Sequence, residues 1–174
     1  MQIEKITSEN PNNHWRFLNC QDKIVMDMGC SFWDSTWNEG WLSSAEYFVD
    51  KGAKKLIGFD CAAHDIKKYH DLYGNEGKYY TFQICINSNQ QIENLLLQYK
   101  PQVIKCDIEG AEIHFQNVTK DMIDFVDEIA IEYHNGPTRD LCENKITEWQ
   151  FPNHQLYQLG NEDTNRVGVW HFWK

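Results

Sequence analysis

Val103-Ile104-Lys105-Cys106-Asp107-Ile108-Glu109-Gly110-Ala111-Glu112 decides how this chain is read. An apolar run feeds into three carboxylates within six residues, gathered around one glycine. A buried strand that opens into an acidic turn puts charge at the carboxyl edge of a sheet. Open α/β sheets bind their ligands at that edge. The stretch therefore points to a site for a polar small molecule that is cationic or metal-bound.

Strands and helices alternate on either side of it. Lys23 to Gly29 is a short apolar run closed by Asp27 and Gly29, a buried-strand signal. Ser43 and Glu46 make a capping box, and Leu42, Ala45 and Val49 share a helical face with Phe48 at its margin. Gly52 stops that helix. Lys55 to Asp60 is a second strand. Ala62, Ile66, Tyr69 and Tyr73 then recur with helical spacing up to Gly74. Tyr79 to Ile86 reads as a third strand. Ile92, Leu95, Leu96 and Tyr99 mark a third helix, which Pro101 breaks.

Gln102 to Cys106 is the fourth strand, followed by a short helix over 111–118 and another near Met122, Ile123 and Phe125. Glu128 to Tyr133 is the fifth strand. Pro137 precedes a helix that packs Cys142, Ile146 and Trp149. Gln155 to Leu159 and Val167 to Trp173 form a closing antiparallel hairpin around residues 160–163. This order requires a mostly parallel sheet with helices on both faces and an antiparallel edge.

The 174 residues suit one domain, with residues 1–22 as an N-terminal strap and 23–174 as the core. An apolar share of 41% is ample for a packed interior, so disorder is not expected. A net charge of −10 would repel nucleic acid and anionic membranes. Met1 to Lys5 is not the start of a secretory signal, and no apolar run reaches membrane-spanning length. A soluble, cytoplasmic protein is expected. Six cysteines without a CxxC pair read as reduced thiols. Cys30, Cys61, Cys85 and Cys106 sit in or just after apolar runs and are expected to be buried.

Asp27 and Asp60 close consecutive strands. Gly29 lets backbone approach a ligand closely, and an acid in the place of Asp60 can accept both ribose hydroxyls. Asp60 lies 31 residues past Gly29; a dinucleotide fingerprint places its acid ~20 residues on. The excess matches an insert, residues 30–42, that carries Trp33, Trp37 and Trp41. Their four-residue spacing fits core packing, and equally aromatic planes that stack on a sugar or close over a cofactor. A single glycine followed by bulky residues cannot cradle a pyrophosphate. The ligand is therefore nucleoside-like without one.

The run Ile104 to Glu112 resembles the FkbM-like methyltransferases, which carry a hydrophobic-Lys-x-Asp-hydrophobic-Glu-Gly-Ala-Glu stretch after their fourth strand. Val25-Met26-Asp27-Met28-Gly29-Cys30-Ser31 is similar to the family's D-x-G-A-N cofactor loop. Ile129-Ala130-Ile131-Glu132-Tyr133-His134 is similar to its fifth-strand E-x-H element. Residues 23–136 carry the resemblance. The chain departs from the pattern at Phe32-Trp33, where the family has a further glycine.

The resemblance implies a Rossmann-like methyltransferase fold with a mostly parallel seven-stranded sheet, and transfer of methyl from S-adenosylmethionine to a hydroxyl, often of a sugar. The implied cofactor residues are Asp27, Gly29 and Cys30 in the loop, Asp60 at the ribose, Asn87 near the adenine, and Asp107. Asp107, Glu109, Glu132 and His134 would face the transferred methyl, with His134 the first choice of base and Asp107 the second.

Trp33, Trp37 and Trp41 are the candidate acceptor contacts, and the acceptor is a small molecule or glycan. Asp107, Glu109 and Glu132 could also hold Mg2+ or Ca2+ as oxygen ligands. Glu112 reads as a carboxylate that complements a helix N-terminus. Two other readings fit the residues: a metal-dependent hydrolase, and a catalytically inactive Rossmann-like binding module.

Overall fold

The computed structural model describes residues 15–30, 43–63, 66–67, 70–71, 77–159 and 163–174, together with the backbone of 4–6. Eight strands form one sheet: β1 (Glu4–Ile6), β2 (Ile24–Met28), β3 (Lys55–Asp60), β4 (Tyr79–Gln83), β5 (Val103–Cys106), β6 (Glu128–Tyr133), β7 (Asn153–Leu159) and β8 (Gly168–Trp173). Their order is β1-β7-β8-β6-β5-β2-β3-β4. Strands β2 to β8 are the expected seven-stranded sheet. The strap adds β1, paired parallel to β7 at the edge. Strand β8 pairs antiparallel with both β6 and β7, and the remaining pairs are parallel.

From β2 the chain moves outward to β3 and β4, then returns to lay β5 on the other side of β2. The strand order therefore reverses between β2 and β5. A crevice opens at the carboxyl ends of strands where such a reversal occurs.

Successive strand residues point to opposite faces. On one face Met26, Met28, Ile57, Phe59, Ile104, Cys106, Ile129 and Ile131 form a core with Ile92 and Leu96 of α2 (Asn89–Tyr99). Trp149 of α3 (Gly136–Trp149) and Phe115 of the 3-10 segment Ala111–Asn117 complete it. On the other face Val25, Leu56, Val103 and Ala130 pack under Trp15 and Leu18 of the strap, Ile66, and Ala45 and Phe48 of α1 (Ser44–Asp50). Asp27, Lys105 and Glu132 alternate with these residues and so belong to the strap-covered face.

Local chemistry sets the boundaries. Ser43 accepts the Glu46 N–H at 3.1 Å, the cap read from the sequence. Phe48 is fully buried and Val49 only partly, so the buried face of α1 is turned toward the aromatic ring rather than toward Val49. Lys100 ends α2 in the left-handed region (φ 46°), because Pro101 disfavours helical backbone at the residue before it. The expected helix over 111–118 is a 3-10 segment. Residues 66–67 and 70–71 are helical where the second helix was expected; Tyr69, Tyr73, Trp33, Trp37, Trp41 and Leu42 lie outside the described residues. Among the described residues no helix is long and apolar enough to cross a membrane.

Candidate functional site

Two loops meet where β2 and β5 end. Met28 and Cys106 are register partners, and the Asp107 N–H donates to the Met28 carbonyl at 3.0 Å. Gly29 has φ +81°, and a Cβ built on it would stand 1.7 Å from the Asp107 carbonyl oxygen. Only glycine fits. The sequence suggested that Gly29 admits a ligand; what it admits against its bare Cα is the backbone of the acidic loop.

Beneath this crossing lies a buried ion pair. Asp27 and Lys105 are register partners on β2 and β5. The Lys105 Nζ lies 3.1 Å from Asp27 Oδ1 and 3.7 Å from Asp107 Oδ2, and donates to the Gly29 carbonyl at 2.7 Å. The contact with Asp27 Oδ1 is an ion pair rather than a well-aligned hydrogen bond. Ser44 donates to the other Asp27 oxygen, and the Trp15 ring faces the ammonium at 5.2 Å.

Burial works to lower the Lys105 pKa, but the charges of Asp27 and then Asp107 outweigh it and hold the ammonium above its usual range. Burial pushes the Asp27 carboxyl up, against the pull of Lys105. Asp27 is fully buried and does not line the cavity above it, contrary to the expected cofactor contact. Cys30 is also fully buried; its Sγ would lie 2.8 Å from a Cβ on Gly58, so its side chain fills the space that glycine leaves. It too makes no wall of the cavity.

That cavity has a volume of about 270 Å³ and sits where the strand order reverses between β2 and β5. Gly29 contributes to its lining. Asp60 ends β3 and Cys61 follows it, Asp107, Ile108 and Glu109 follow β5, and Phe59, Ile84 and Ile86 supply an apolar wall. The Ala62 N–H donates to Asp60 Oδ1 at 2.7 Å, so the turn orients this carboxylate by one oxygen. Asn87, expected near a bound base, is exposed and lies outside the lining. Its N–H is taken by Gln91 Oε1 at 2.8 Å, and alternation past β4 turns Ile84 and Ile86 inward instead.

The second half of the site is an acidic cluster around His134. One step past the Cys106–Ile131 pairing, Asp107 and Glu132 stand side by side near the carboxyl ends of β5 and β6. The His134 Nε2 lies 3.5 Å from Asp107, 3.7 Å from Glu109 and 3.7 Å from Glu132. Its Nδ1 lies 3.1 Å from Glu112 Oε1.

Glu112 is fully buried and accepts the N–H groups of Ile108 at 3.0 Å and Gly110 at 2.8 Å. It is the internal post on which the acidic loop folds, rather than an exposed complement to a helix dipole. Glu109 and Gly110 are left-handed in succession (φ 55° and 99°), which turns the Glu109 side chain into solvent at the cavity rim.

Burial works to lower the His134 pKa, but the hydrogen bond and charge of Glu112, then Asp107 and Glu132, prevail and push it up to about 9. At neutral pH the ring is an imidazolium, opposite to the state a base needs. Burial, then the charge of Asp107, pushes the Glu132 carboxyl up to about 8, with His134 pulling the other way.

Among the described residues, the ligand atoms that lie within 4.8 Å of one another belong to Asp107, Glu112 and His134; Glu109 and Glu132 of the expected metal set are not among them. Both Glu112 oxygens already accept backbone N–H groups, and an imidazolium nitrogen stands where the other carboxylates converge. Mg2+ and Ca2+ require several open oxygen donors, so this set does not fit either ion.

No protein-family model matches the sequence, and no curated protein matches it. Solved structures do. A provisionally assigned methyltransferase from Streptococcus mutans, solved with SAH, aligns over 94% of this chain and 94% of its own, at 14% identity and TM-score 0.55. An rRNA methylase from Streptococcus thermophilus aligns over 90% and 89%, at 16% identity and TM-score 0.56. The fold is that of the Rossmann-like methyltransferases. A provisionally assigned S-adenosylmethionine dependent methyltransferase from Listeria monocytogenes is longer: 69% of this chain matches 49% of that one, at 17% identity and TM-score 0.45.

Proposed function

We propose that this chain is an S-adenosylmethionine-dependent O-methyltransferase of the FkbM-like kind, acting on a hydroxyl of a carbohydrate. The observation that carries this reading is the cavity at the β2–β5 reversal, with Asp60 on one wall and Asp107 and Glu109 on the other. Phe59, Ile84 and Ile86 suit the face of an adenine. Asp60 suits the ribose hydroxyls. Asp107 and Glu109 favour a cationic sulfur by charge. This donor supplies a methyl group that its sulfonium has already activated.

The chain's own residues must then align the acceptor and remove its proton. Alignment alone contributes on the order of 7–11 kcal/mol, and a general base ~10²–10⁴-fold in rate. His134 is the base, with Glu112 as the group that orients it, the arrangement seen wherever a third residue steadies a base. His134 starts protonated. A second cation in the neighbouring cavity disfavours the imidazolium, so His134 releases its proton on donor binding and stands neutral to receive that of the hydroxyl. Asp107 is the second candidate for that role. Trp33, Trp37 and Trp41 supply aromatic planes of the kind that stack on sugar faces, and they carry the carbohydrate part of the reading.

Titration calorimetry in buffers of different ionisation enthalpy tests this at pH 7.5. In a Glu132→Gln background, which removes the other group protonated at that pH, S-adenosylmethionine should release about one proton per site on binding, and neutral S-adenosylhomocysteine none. His134→Gln should abolish the difference and keep the affinity, while Asp60→Ala weakens both compounds roughly tenfold or more. Absence of binding by either compound to the unmodified chain would overturn the proposal.

A further inference from the structure

The expectation of four buried cysteines holds for Cys30 and Cys106 but fails for Cys61 and Cys85, which are exposed while the other four are buried. Both follow the ends of paired parallel strands. Asp60 and Gln83 are register partners. The ladder continues one step further, the Ile84 N–H donating to the Asp60 carbonyl at 2.9 Å. The Gln83 side-chain amide reaches the Cys61 carbonyl at 3.4 Å. Diagonal neighbours on adjacent strands stand about 5–6 Å apart at Cα, inside the range a disulfide spans. The Cys61 and Cys85 thiols are close enough to influence each other's ionisation.

The pair also occupies a functional position. Cys61 lines the cavity, and Cys85 stands between Ile84 and Ile86, which line it too. Cys61 is the middle residue of the Asp60–Ala62 turn that fixes the Asp60 carboxylate. A neighbouring thiol pair must close to ~2.05 Å to become a disulfide. That movement pulls on the turn holding Asp60.

We propose that Cys61 and Cys85 are a redox-active dithiol at the cavity mouth, which a peroxide converts to a disulfide that weakens ligand binding. One thiolate attacks a peroxide oxygen; the O–O bond breaks, hydroxide leaves, and a sulfenic acid forms. The second sulfur attacks the first; the S–S bond forms, the S–O bond breaks, and water leaves. The two sulfurs lose two electrons and the peroxide gains them. The neighbouring Cys85 thiol, then burial, pushes the Cys61 thiol up to about 11. Oxidation proceeds through a thiolate, so it should speed up as pH rises.

The part of this inference that concerns binding rests on the donor-pocket reading; the chemistry of the dithiol does not. Two measurements keep them apart. The full chain is treated with hydrogen peroxide at pH 8.5, alkylated, and mapped by mass spectrometry with and without dithiothreitol. The expected product is a Cys61–Cys85 linked peptide about two daltons lighter than the two thiols, reversed by dithiothreitol and absent in Cys85→Ser. Separate sulfinic acids on each cysteine, or a different pairing, would overturn the dithiol. Thermal shift with S-adenosylhomocysteine is then compared for the reduced and oxidised chain. At least fivefold weaker binding to the oxidised form, restored by reduction and missing in Cys85→Ser, is expected. Equal binding to both forms would overturn the regulatory half. If neither form binds, the donor-pocket reading fails while the mass result still decides the chemistry.

Discussion

Lys105 is the residue on which the site depends most, and the sequence displays it openly. A lysine inside the buried tetrapeptide Val103-Ile104-Lys105-Cys106 needs an anionic partner, because an unpaired buried charge is expensive. What the sequence could not supply was the register that puts Asp27 opposite it. Removing one member of such a pair typically destabilises by roughly 3–5 kcal/mol, since the other charge stays buried. Lys105→Met should lower the urea midpoint accordingly at unchanged m-value, and adding Asp27→Leu should recover at least half of the loss.

His134 and Glu132 make stability fall with pH, and the sign follows from both shifts. The folded pKa of His134, about 9, lies above the ~6.5 of an unfolded histidine. Its contribution is complete below pH 6.5 and is lost as pH rises through 9; it is on the order of 3 kcal/mol. Glu132, at about 8 against ~4.3 unfolded, has the same sign, present below pH 4.3 and lost through pH 8. Urea unfolding from pH 5 to 9 should show the decline. Glu132→Gln should flatten its lower half and His134→Gln its upper half.

The elements themselves were legible because periodicity reports them directly. The buried face of α2 and the Ser43 cap stand as read. Site membership was less legible. The resemblance implied Asp27, Cys30 and Asn87 as cofactor contacts, but a strand residue's face depends on one-residue parity, and a loop residue's on turns that no motif encodes. Glu112 was missed as the post of the acidic loop; the signal was a glutamate two residues past a left-handed glycine, close enough to cap its N–H. Gly29→Ala should cost roughly 3 kcal/mol or more and remove any thermal shift with S-adenosylhomocysteine, because the added carbon meets a backbone carbonyl that cannot move away. Gly77→Ala, also at positive φ (65°) but with open space around it, should cost only about 1–2 kcal/mol. Equal losses in the two variants would show that backbone conformation, not the loop contact, governs Gly29.

At the scale of the molecule, the strap does more than cover a face. Trp15 is buried against the sheet with its ring over Lys105, and Asn19 donates through its N–H to Glu128 at the opposite end of β6 from His134. Trp15→Ala should destabilise by about 3–5 kcal/mol, a fall in Tm of about 10 °C for a chain of this size. A calorimetric scan checks this. The alternation of strand and helix made the sheet readable from composition and pattern alone. The strap was read as a strap, but the face it covers was not, because Trp15, Phe17 and Leu18 have no period, and where they pack follows from the face the rest of the chain leaves uncovered.

The contact between Gly29 and Asp107 has a mechanical corollary. Two strand-end loops that interlock at atomic range have lost their independence. Any displacement that enlarges the Asp60 end of the crevice must be transmitted to the His134 end, so under the proposed function a change that admits a bulkier donor would retune acceptor chemistry in the same stroke.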